Sequence, residues 1–468
     1  MRLLRHLVLF ATAAAALAPS GLAGERMWTG FHDDPILRFD DNRQAQMDVA
    51  RDDNATVLRT LVTWAQVAPT RPARATNPFD PAYKFDDLDE FVRNAQARDL
   101  EVLITLWGTP KWANAGKSPN YLPKKMADFQ NFARAVASRY SGRNAGYPFV
   151  RFYGIWNESN LGTFLSPQFN AKGRIVGPAA YAKLAAAGYA GIKAGSPKAL
   201  VGIGETSSTG NDKKKAGTDK ISPGKFAELV ARANRRLRFD AWAQHPYPFP
   251  VNMKPTQKVR WPNVALTSLP RFEASLDTWF GRKNIPVWIT EYGHETKPGE
   301  PKGVTEAQQA TYVSQAIGLA RADARVQMFV WFVQTDSAGS PWQSGLYRSS
   351  SAPKPARARW AAATLPLDPR NALVRVKGGT RNPALTVNAR AFCVNNPVGA
   401  AVGVESKAML GVSLVAATQA RVTLAPDCTV AYKAAGLAVA RGKTYTIEVL
   451  LNTGNGDELA RTITVRGT

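Results

Sequence analysis

Short apolar runs alternate with longer amphipathic segments through the first three quarters of the chain. The runs are rich in β-branched and aromatic residues, which is typical of strands buried on both faces. The longer segments repeat apolar residues at helical spacing. This alternation predicts an α/β fold in which parallel strands and helices close into a (β/α)8 TIM barrel. The predicted strands are 27–31, 56–61, 100–106, 149–156, 199–204, 239–244, 285–290 and 326–332, and the predicted helices include 42–53, 88–98, 126–140, 179–194 and 309–322.

The pattern changes near residue 367 to short alternating strands separated by Gly and Asn turns. Apolar positions recur at every second residue from 385 to 393 and again from 445 to 451. This predicts a β-sandwich of about a hundred residues at 366–468, after a barrel at 24–365. A carbohydrate-binding module and a packing domain both fit it.

Two of the predicted strands deliver a glutamate where a parallel strand ends. Asn157 and Glu158 follow the fourth strand, and Glu291 ends the seventh. The carboxyl ends of barrel strands converge on the ligand crevice. Glu291 comes 133 positions after Glu158, which leaves about 44 for each of three βα units. The two carboxylates are therefore expected to face each other across the barrel mouth, although Glu158 alone could also complement a helix dipole.

With this pair the chain resembles the clan A glycoside hydrolases, over roughly residues 24–365. The resemblance implies that Glu158 is the acid/base and Glu291 the nucleophile of a retaining β-glycosidase. It also implies that Asn157 bonds the sugar 2-hydroxyl. Arg59 on the second strand matches an arginine that hydrogen-bonds the nucleophile in these relatives; a structural ion pair is the alternative.

Further substrate-binding residues are expected around the mouth. The resemblance implies that Tyr247, in the sequence His245-Pro246-Tyr247, donates to the nucleophile and that Trp331 forms the aromatic platform under the sugar. A structural histidine and a barrel-core indole remain alternatives. Glu205 ends the fifth strand without a preceding Asn, which favours substrate binding over catalysis. Trp107 and Trp112 are further candidate sugar contacts, with core packing as the alternative. His32, Asp33 and Asp34 are candidates with loop capping as the alternative. Three residues of a later loop could border the pocket: Gln334, Asp336 and Trp342.

Two positions depart from the family 5 cellulases of this clan. Those enzymes tend to carry a His in the loop that here holds Trp107 and Trp112, and a Pro where Ser159 follows the acid/base glutamate. Both departures favour similarity to family 39 and to bacterial enzymes that act on exopolysaccharide.

Charge and the N-terminus extend this picture. The chain has 60 Lys and Arg against 36 Asp and Glu, a formal net charge of +24, which suggests an anionic partner such as an acidic glycan, a cell-envelope polymer or a lipid headgroup. No nucleic-acid motif accompanies it. Arg2 and Arg5, an apolar run and a small-residue site before Gly24 predict a signal peptide at 1–23, hence secretion with no later membrane span. A monomer is expected.

Cysteine and histidine counts limit the cofactors. The only cysteines, Cys393 and Cys428, both fall in the second domain, and in an exported protein they predict one disulfide. Four histidines make a multi-histidine zinc site improbable, and neither a metal nor an organic cofactor is expected. The sequence leaves open transglycosylation on the same scaffold and a non-catalytic glycan-binding protein. Sugar, linkage, and endo or exo action depend on loop shapes.

Overall fold

A computed structural model describes residues 27–215, 219–367 and 373–468, so the predicted signal peptide at 1–23 lies outside the described residues. Eight parallel strands close into a barrel in sequential order, which confirms the predicted α/β barrel. The strands are β1 Trp28–His32, β2 Val57–Thr63, β3 Glu101–Trp107, β4 Phe152–Ile155, β5 Leu200–Ser207, β6 Ala241–His245, β7 Val287–Tyr292 and β8 Val326–Phe332.

The helices of the first domain lie outside this barrel. They are α1 Asp34–Leu37, α2 Arg43–Asp52, α3 Trp64–Val67, α4 Asp86–Ala97, α5 Lys111–Asn114, α6 Met126–Arg139, α7 Gly177–Gly195, α8 Pro223–Ala233, α9 Leu269–Phe280, α10 Glu306–Ala322 and α11 Pro355–Thr364. No described helix has the length and apolar character needed to cross a membrane.

Apolar side chains fill the lower part of the barrel interior. Phe152 packs edge-on against Trp28 and Trp288, with ring centroids 5.4 Å apart in each pair. The next level upward holds glycine: a Cβ on Gly154 would lie 2.0 Å from Glu205 Oε1. Gly154 therefore leaves the space in which a buried carboxylate sits inside the barrel. The interior changes at this level from apolar packing to a charged network.

The second domain is built from three sheets. Its strands are β9 Leu373–Val376, β10 Thr380–Arg381, β11 Ala384–Asn388, β12 Ala401–Leu410, β13 Ser413–Thr423, β14 Thr429–Lys433, β15 Ala438–Val439, β16 Thr444–Thr453 and β17 Glu458–Gly467. A five-stranded sheet, in the order β13-β12-β16-β17-β9, accompanies the pairs β10-β15 and β11-β14. This strand-rich unit agrees with the predicted β-sandwich.

The predicted disulfide between Cys393 and Cys428 is present. The sequence pattern suggested that Cys393 continues the alternation of the preceding strand, but the structure shows that it does not. β11 ends at Asn388, and Cys393 lies in the 3-10 helix Arg390–Val394. The backbone tightens there because the Asn388 side chain accepts the Arg390 N–H, a local turn that competes with strand pairing.

This 3-10 helix also joins the two domains. Arg390 donates to the Glu101 carboxylate and to the Asp99 carbonyl, at 3.0 Å for the latter, and Arg461 pairs with the Asp99 carboxylate. Phe149, which precedes β4, packs in the hydrophobic core of the second domain. These contacts lie at the N-terminal ends of β3 and β4. The second domain therefore covers part of the barrel end opposite the C-terminal ends of the strands.

Candidate active site

Arg59 organises the C-terminal end of the barrel. Its side chain is fully buried on β2. One guanidinium nitrogen donates to Glu291 Oε1 at 2.5 Å, and the other donates to Glu205 Oε2 at 2.6 Å and Asn157 Oδ1 at 2.8 Å. Nε donates to Thr105 Oγ1 at 3.1 Å, and Thr105 in turn donates to Glu205 at 3.0 Å. One cation thus joins side chains from five strands or strand ends.

Glu158 and Glu291 are close together, with carboxylate oxygens within 4.8 Å of each other. Their side chains are 15% and 10% exposed, so both can be reached from the mouth. Glu158 has φ 33° and Trp156 has φ 70°, both in the left-handed region that side chains disfavour. Strain of this kind costs about 1–3 kcal/mol per residue and is concentrated at functional sites.

His245 lies between the two carboxylates. Its Nδ1 is 3.4 Å from Glu158 Oε1 and 3.5 Å from Glu291 Oε2, and its Nε2 is 3.0 Å from Thr290 Oγ1 and 3.4 Å from Glu205 Oε2. Burial by itself would lower the pKa of His245. The charge of Glu291 and hydrogen bonds with Glu158 and Glu205 outweigh burial and raise that pKa to about 9. The imidazole is therefore a cation at neutral pH.

The pKa of Glu291 is lowered well below its usual value. Burial opposes the ionised form, but the positive charges of His245, Arg59 and His32 outweigh burial. Tyr247 donates its hydroxyl to Glu291 Oε2 at 2.9 Å, which adds a further donor to the anion. Glu291 is consequently held ionised, which is the state that the nucleophile role predicted for it would need.

The spacing of three side chains at the mouth would also suit a divalent cation. Glu158, His245 and Glu291 each bring one potential ligand atom within 4.8 Å of the others, and carboxylate and imidazole groups are common metal ligands. A metal bound there would replace the contacts between His245 Nδ1 and the two glutamates, because ligation needs an unprotonated nitrogen. The same three side chains can therefore serve as metal ligands or as two carboxylates arranged around a histidine.

The residues at the end of β1 and just after it divide between the site and the scaffold. His32 Nδ1 lies 2.6 Å from Arg59 and 3.4 Å from Glu291, and Asp34 lies 3.5 Å from its other nitrogen. Asp33 instead accepts the backbone N–H groups of Gln334 and Thr335, at 3.0 and 3.1 Å. Burial raises the pKa of Asp33 to about 7. Asp33 thus holds the loop after β8, the capping alternative foreseen for it.

Trp331 is not a sugar platform in this structure. Its indole is 0% exposed, donates to Ser344 O at 2.8 Å and packs on Trp360, so the barrel-core alternative applies. The next residue, Phe332, is partly exposed and packs on His32 at 5.1 Å between centroids. Successive side chains of a strand point to opposite faces. Trp331 therefore points toward the helix layer, and Phe332, one residue later, points toward the side of the strand where His32 lies.

Two further aromatic side chains, Trp342 and Phe249, lie on loops at the barrel mouth. Trp342 packs edge-on against Tyr247, with centroids 5.0 Å apart, and 5.5 Å from Phe332. Phe249, two residues beyond Tyr247 on the same loop, is 62% exposed. Its position after the sixth strand was a signal that could have identified it. The roles of Thr105, Thr290 and Phe332 had no such signal.

Several predicted substrate contacts have other partners. Glu205 is fully buried against Arg59 and His245 and presents no surface to a sugar, which corrects its assignment to substrate binding. Trp112 is half-buried, donates to Ala68 O at 2.8 Å and lies under the Arg71 guanidinium at 4.3 Å. Three further candidates also have protein partners. Trp107 is half-buried and donates to Phe164 O, and Gln334 donates to Gln46 O. Asp336 forms an ion pair with Lys354.

The comparisons with known proteins agree with this geometry. The model of the family described as cellulase (glycosyl hydrolase family 5) matches residues 22–337. A family 39 glycoside hydrolase from Bacteroides cellulosilyticus WH2 superimposes with a TM-score of 0.54 at 17% identity, covering 88% of this chain and 81% of the other. A GH5_18 protein from Streptomyces cattleya, in complex with GlcNAc, gives 0.53 at 15% identity, with 76% and 85% covered. These two likenesses show the fold. No curated protein sequence matches the chain.

Proposed function

The chain belongs to glycosyl hydrolase family 5, and from that premise we propose that it is an exported retaining β-glycosidase acting on an oligo- or polysaccharide. Membership supports glycosidase activity and a carbohydrate substrate. The proposal adds the stereochemistry, the residues, the compartment and the charge of the substrate. The departures at Trp107, Trp112 and Ser159 remain differences from the cellulases of this family.

The approach of the two carboxylates is the observation that carries the proposal. Retaining glycosidases hold the pair about 5–5.5 Å apart, whereas inverting enzymes need about 6.5–9.5 Å to admit a water molecule. One oxygen of Glu158 and one oxygen of Glu291 lie within 4.8 Å of each other, which matches the shorter of these two separations. This separation favours double displacement through a covalent glycosyl-enzyme.

In the first step Glu291 attacks the anomeric carbon. The bond to the leaving oxygen breaks, its electron pair remains on that oxygen, and Glu158 transfers its proton there. In the second step Glu158 takes a proton from water, the hydroxide attacks the anomeric carbon, and the ester bond to Glu291 breaks. The negative charge of Glu291 is absent in the ester, which lets Glu158 act as the base.

Arg59, Tyr247 and Asn157 have distinct parts in this scheme. Arg59 and Tyr247 donate to separate oxygens of Glu291, at 2.5 and 2.9 Å, and so fix the attacking carboxylate. Asn157 Oδ1 accepts from Arg59, which leaves the Asn157 amide N–H groups for the sugar. A donor there would strengthen its bond to the 2-hydroxyl as the oxocarbenium-like transition state forms.

The mouth favours an acidic glycan. Basic residues on the loops after β3 to β6 are all exposed: Lys111, Lys117, Lys124, Lys125, Lys172, Arg174, Lys213, Lys214, Lys215, Lys254, Lys258 and Arg260. Positive potential around a cleft concentrates anionic substrates. Export is supported by the predicted signal peptide and by the disulfide, which persists in oxidising compartments.

Proton NMR of the first product tests the mechanism. An aryl β-glycoside should yield the β-anomer before mutarotation, and an α-product would contradict retention. Glu291→Gly should abolish turnover, with azide restoring some as the α-glycosyl azide. Glu158→Ala should spare substrates with good leaving groups and give the β-azide. Glu228→Ala on α8 is the matched control; full activity in either site variant would disprove the assignment.

A further inference from the structure

An arginine-lined cavity of about 700 Å³ lies at the end of the barrel opposite the mouth. It is formed where α8 leads into β6 and α9 leads into β7, at the N-terminal ends of those strands. The lining residues are Tyr189, Arg235, Arg236, Leu237, Arg238, Phe239, Phe280, Gly281 and Arg282.

The cavity lining contains four guanidinium groups and no carboxylate. Nearby acids are already paired: Asp240 with Lys193 at 2.8 Å and Asp277 with Arg325 at 2.7 Å. By comparison, most of the described barrel arginines that form an ion pair have a carboxylate partner on another helix, strand or loop. Arg98, for example, pairs with Asp48. Four like charges gathered in one concavity repel each other and create a strong local positive potential, which an external anion would relieve.

Aromatic rings hold two of these cations in place. Arg238 lies 5.4 Å from the Tyr189 ring, and Arg282 lies 4.5 Å from the Phe239 ring and donates to Phe239 O at 3.0 Å. A Cβ on Gly281 would lie 3.1 Å from Arg235 Nη2, so this glycine allows the Arg235 guanidinium to lie against the backbone. Planar stacking reduces the entropy that a guanidinium loses when it binds.

We propose that this cavity is a second glycan site, which binds an oxyanion carried on a sugar: a uronate carboxylate, a sulfate or a phosphate monoester. Guanidinium groups bind such oxyanions through two parallel hydrogen bonds. Its volume falls within the range of about 300–1,000 Å³ that is usual for small-molecule sites. This deepens, and rests on, the acidic glycan substrate proposed above. The site lies away from the mouth, so one polymer can be held there while another segment is cleaved.

Isothermal titration of the full chain tests this, in a Glu291→Gln background that cannot cleave the ligand. The probes are tetragalacturonate, glucose 6-phosphate, inorganic phosphate and neutral cellotetraose at low salt. The test variant carries Arg235→Ser, Arg236→Ser and Arg238→Ser. The matched control loses the same charge from exposed arginines elsewhere, through Arg134→Ser, Arg321→Ser and Arg359→Ser.

If the cavity binds an acidic sugar, the affinity for that sugar should fall at least about tenfold in the test variant and less than twofold in the control. Cellotetraose should not bind there. Tetragalacturonate binding identifies a uronate source, and binding of glucose 6-phosphate alone identifies a phosphorylated sugar. Equal losses in both variants, no loss in either, or inorganic phosphate competing as well as both sugars would overturn the proposal. Aryl glycoside hydrolysis by the same variants with Glu291 intact should be unchanged. Absence of hydrolysis in the unmutated chain would instead contradict the proposed function.

Discussion

Both ends of the barrel bury an arginine against a carboxylate, but they distribute the charge differently. At the N-terminal end, Arg151 and Arg390 both donate to Glu101, which is 1% exposed. At the mouth, Arg59 alone serves Glu205 and Glu291, with His245 as a further cation among the acids. The first network has more cationic donors than acids, whereas the second has more acids than guanidinium groups.

This difference separates a structural ion network from a reactive one. Glu101 is too deeply buried for a ligand to reach it, and its network joins the two domains. At the mouth, Arg59 also forms an ion pair with Glu205, which is fully buried. Glu158 and Glu291 remain within reach of a ligand. A buried pair by itself is weak support for stability or for function. What decides is whether an acid remains reachable.

Breaking the mouth network should have the largest effect. Arg59→Met leaves Glu205 and Glu291 without their shared cation, so Glu291, the proposed nucleophile, loses its fixed position. We expect kcat/KM on an aryl glycoside to fall about 10²–10³-fold, since that is the usual cost of one preorganised charged donor. Loss of a buried partner should also lower the free energy of unfolding by about 3–5 kcal/mol. Urea unfolding and steady-state kinetics measure both; unchanged kinetics would contradict the role of Arg59.

The disulfide anchors the 3-10 helix that carries Arg390, so removing it tests the network at the N-terminal end of the barrel. Cys393 and Cys428 enclose a separation of 35 residues. In the chain-entropy model, closing such a loop contributes about 3–4 kcal/mol. The double variant Cys393→Ser, Cys428→Ser should therefore melt earlier, by calorimetry, while kcat at 25 °C stays within twofold. Two titratable thiols in the unfolded, unreduced protein would disprove the bridge.

Arg390→Met is the structural counterpart of the Arg59 variant. Glu101 keeps Arg151, whose Nε donates at 2.8 Å, so only part of the network is lost. The expected loss in the free energy of unfolding is about 1.5–3 kcal/mol, the value of a hydrogen bond to a charged group. Aryl glycoside kinetics should not change. A fall in kcat comparable to that of Arg59→Met would erase the distinction between the two ends.

The pH dependence sharpens the comparison further. The pKa of His245 is raised from 6.5 to about 9, so its protonated form stabilises the folded state. That contribution is fully present below pH 6.5 and is lost as pH rises through about 9. Urea midpoints measured from pH 6 to 10 should fall less steeply in His245→Gln than in the parent. The raised pKa values of Asp33, to about 7, and Glu273, to about 8, act alike in both proteins and cancel in the comparison.

The smallest effect concerns the exposed rim. Lys213, Lys214 and Lys215 changed together to Ser should raise KM for an acidic polymer by a few-fold and leave an aryl glycoside unaffected. Salt should do the same, since the Debye length falls from about 10 Å at 0.1 M to about 3 Å at 1 M. Polymer kinetics that respond to neither change would mean that the rim charge does not attract substrate.

The eight strands were predictable because each is a short apolar run bounded by polar residues, a local property of the chain. Their ends were less so. β7 continues to Tyr292 and β5 to Ser207, so Glu291 and Glu205 lie inside strands that run beyond them and do not end them. Hydrophobicity alone does not register a strand that ends in polar residues facing a buried cation.

The sequence by itself determined the barrel, the second domain and the pair of glutamates at the mouth, because strand periodicity and residue spacing encode them. It determined the disulfide because the chain has only two cysteines and a predicted signal peptide. Tertiary structure decided which acid can be reached. Glu158, Glu205 and Glu291 all follow from the same strand-end pattern, yet only Glu205 is fully enclosed beneath Arg59 and His245. Tertiary structure also decided that Phe332, and not Trp331, packs on His32 at the barrel mouth. Burial and side-chain direction depend on strands distant in sequence, and no local pattern carries that information.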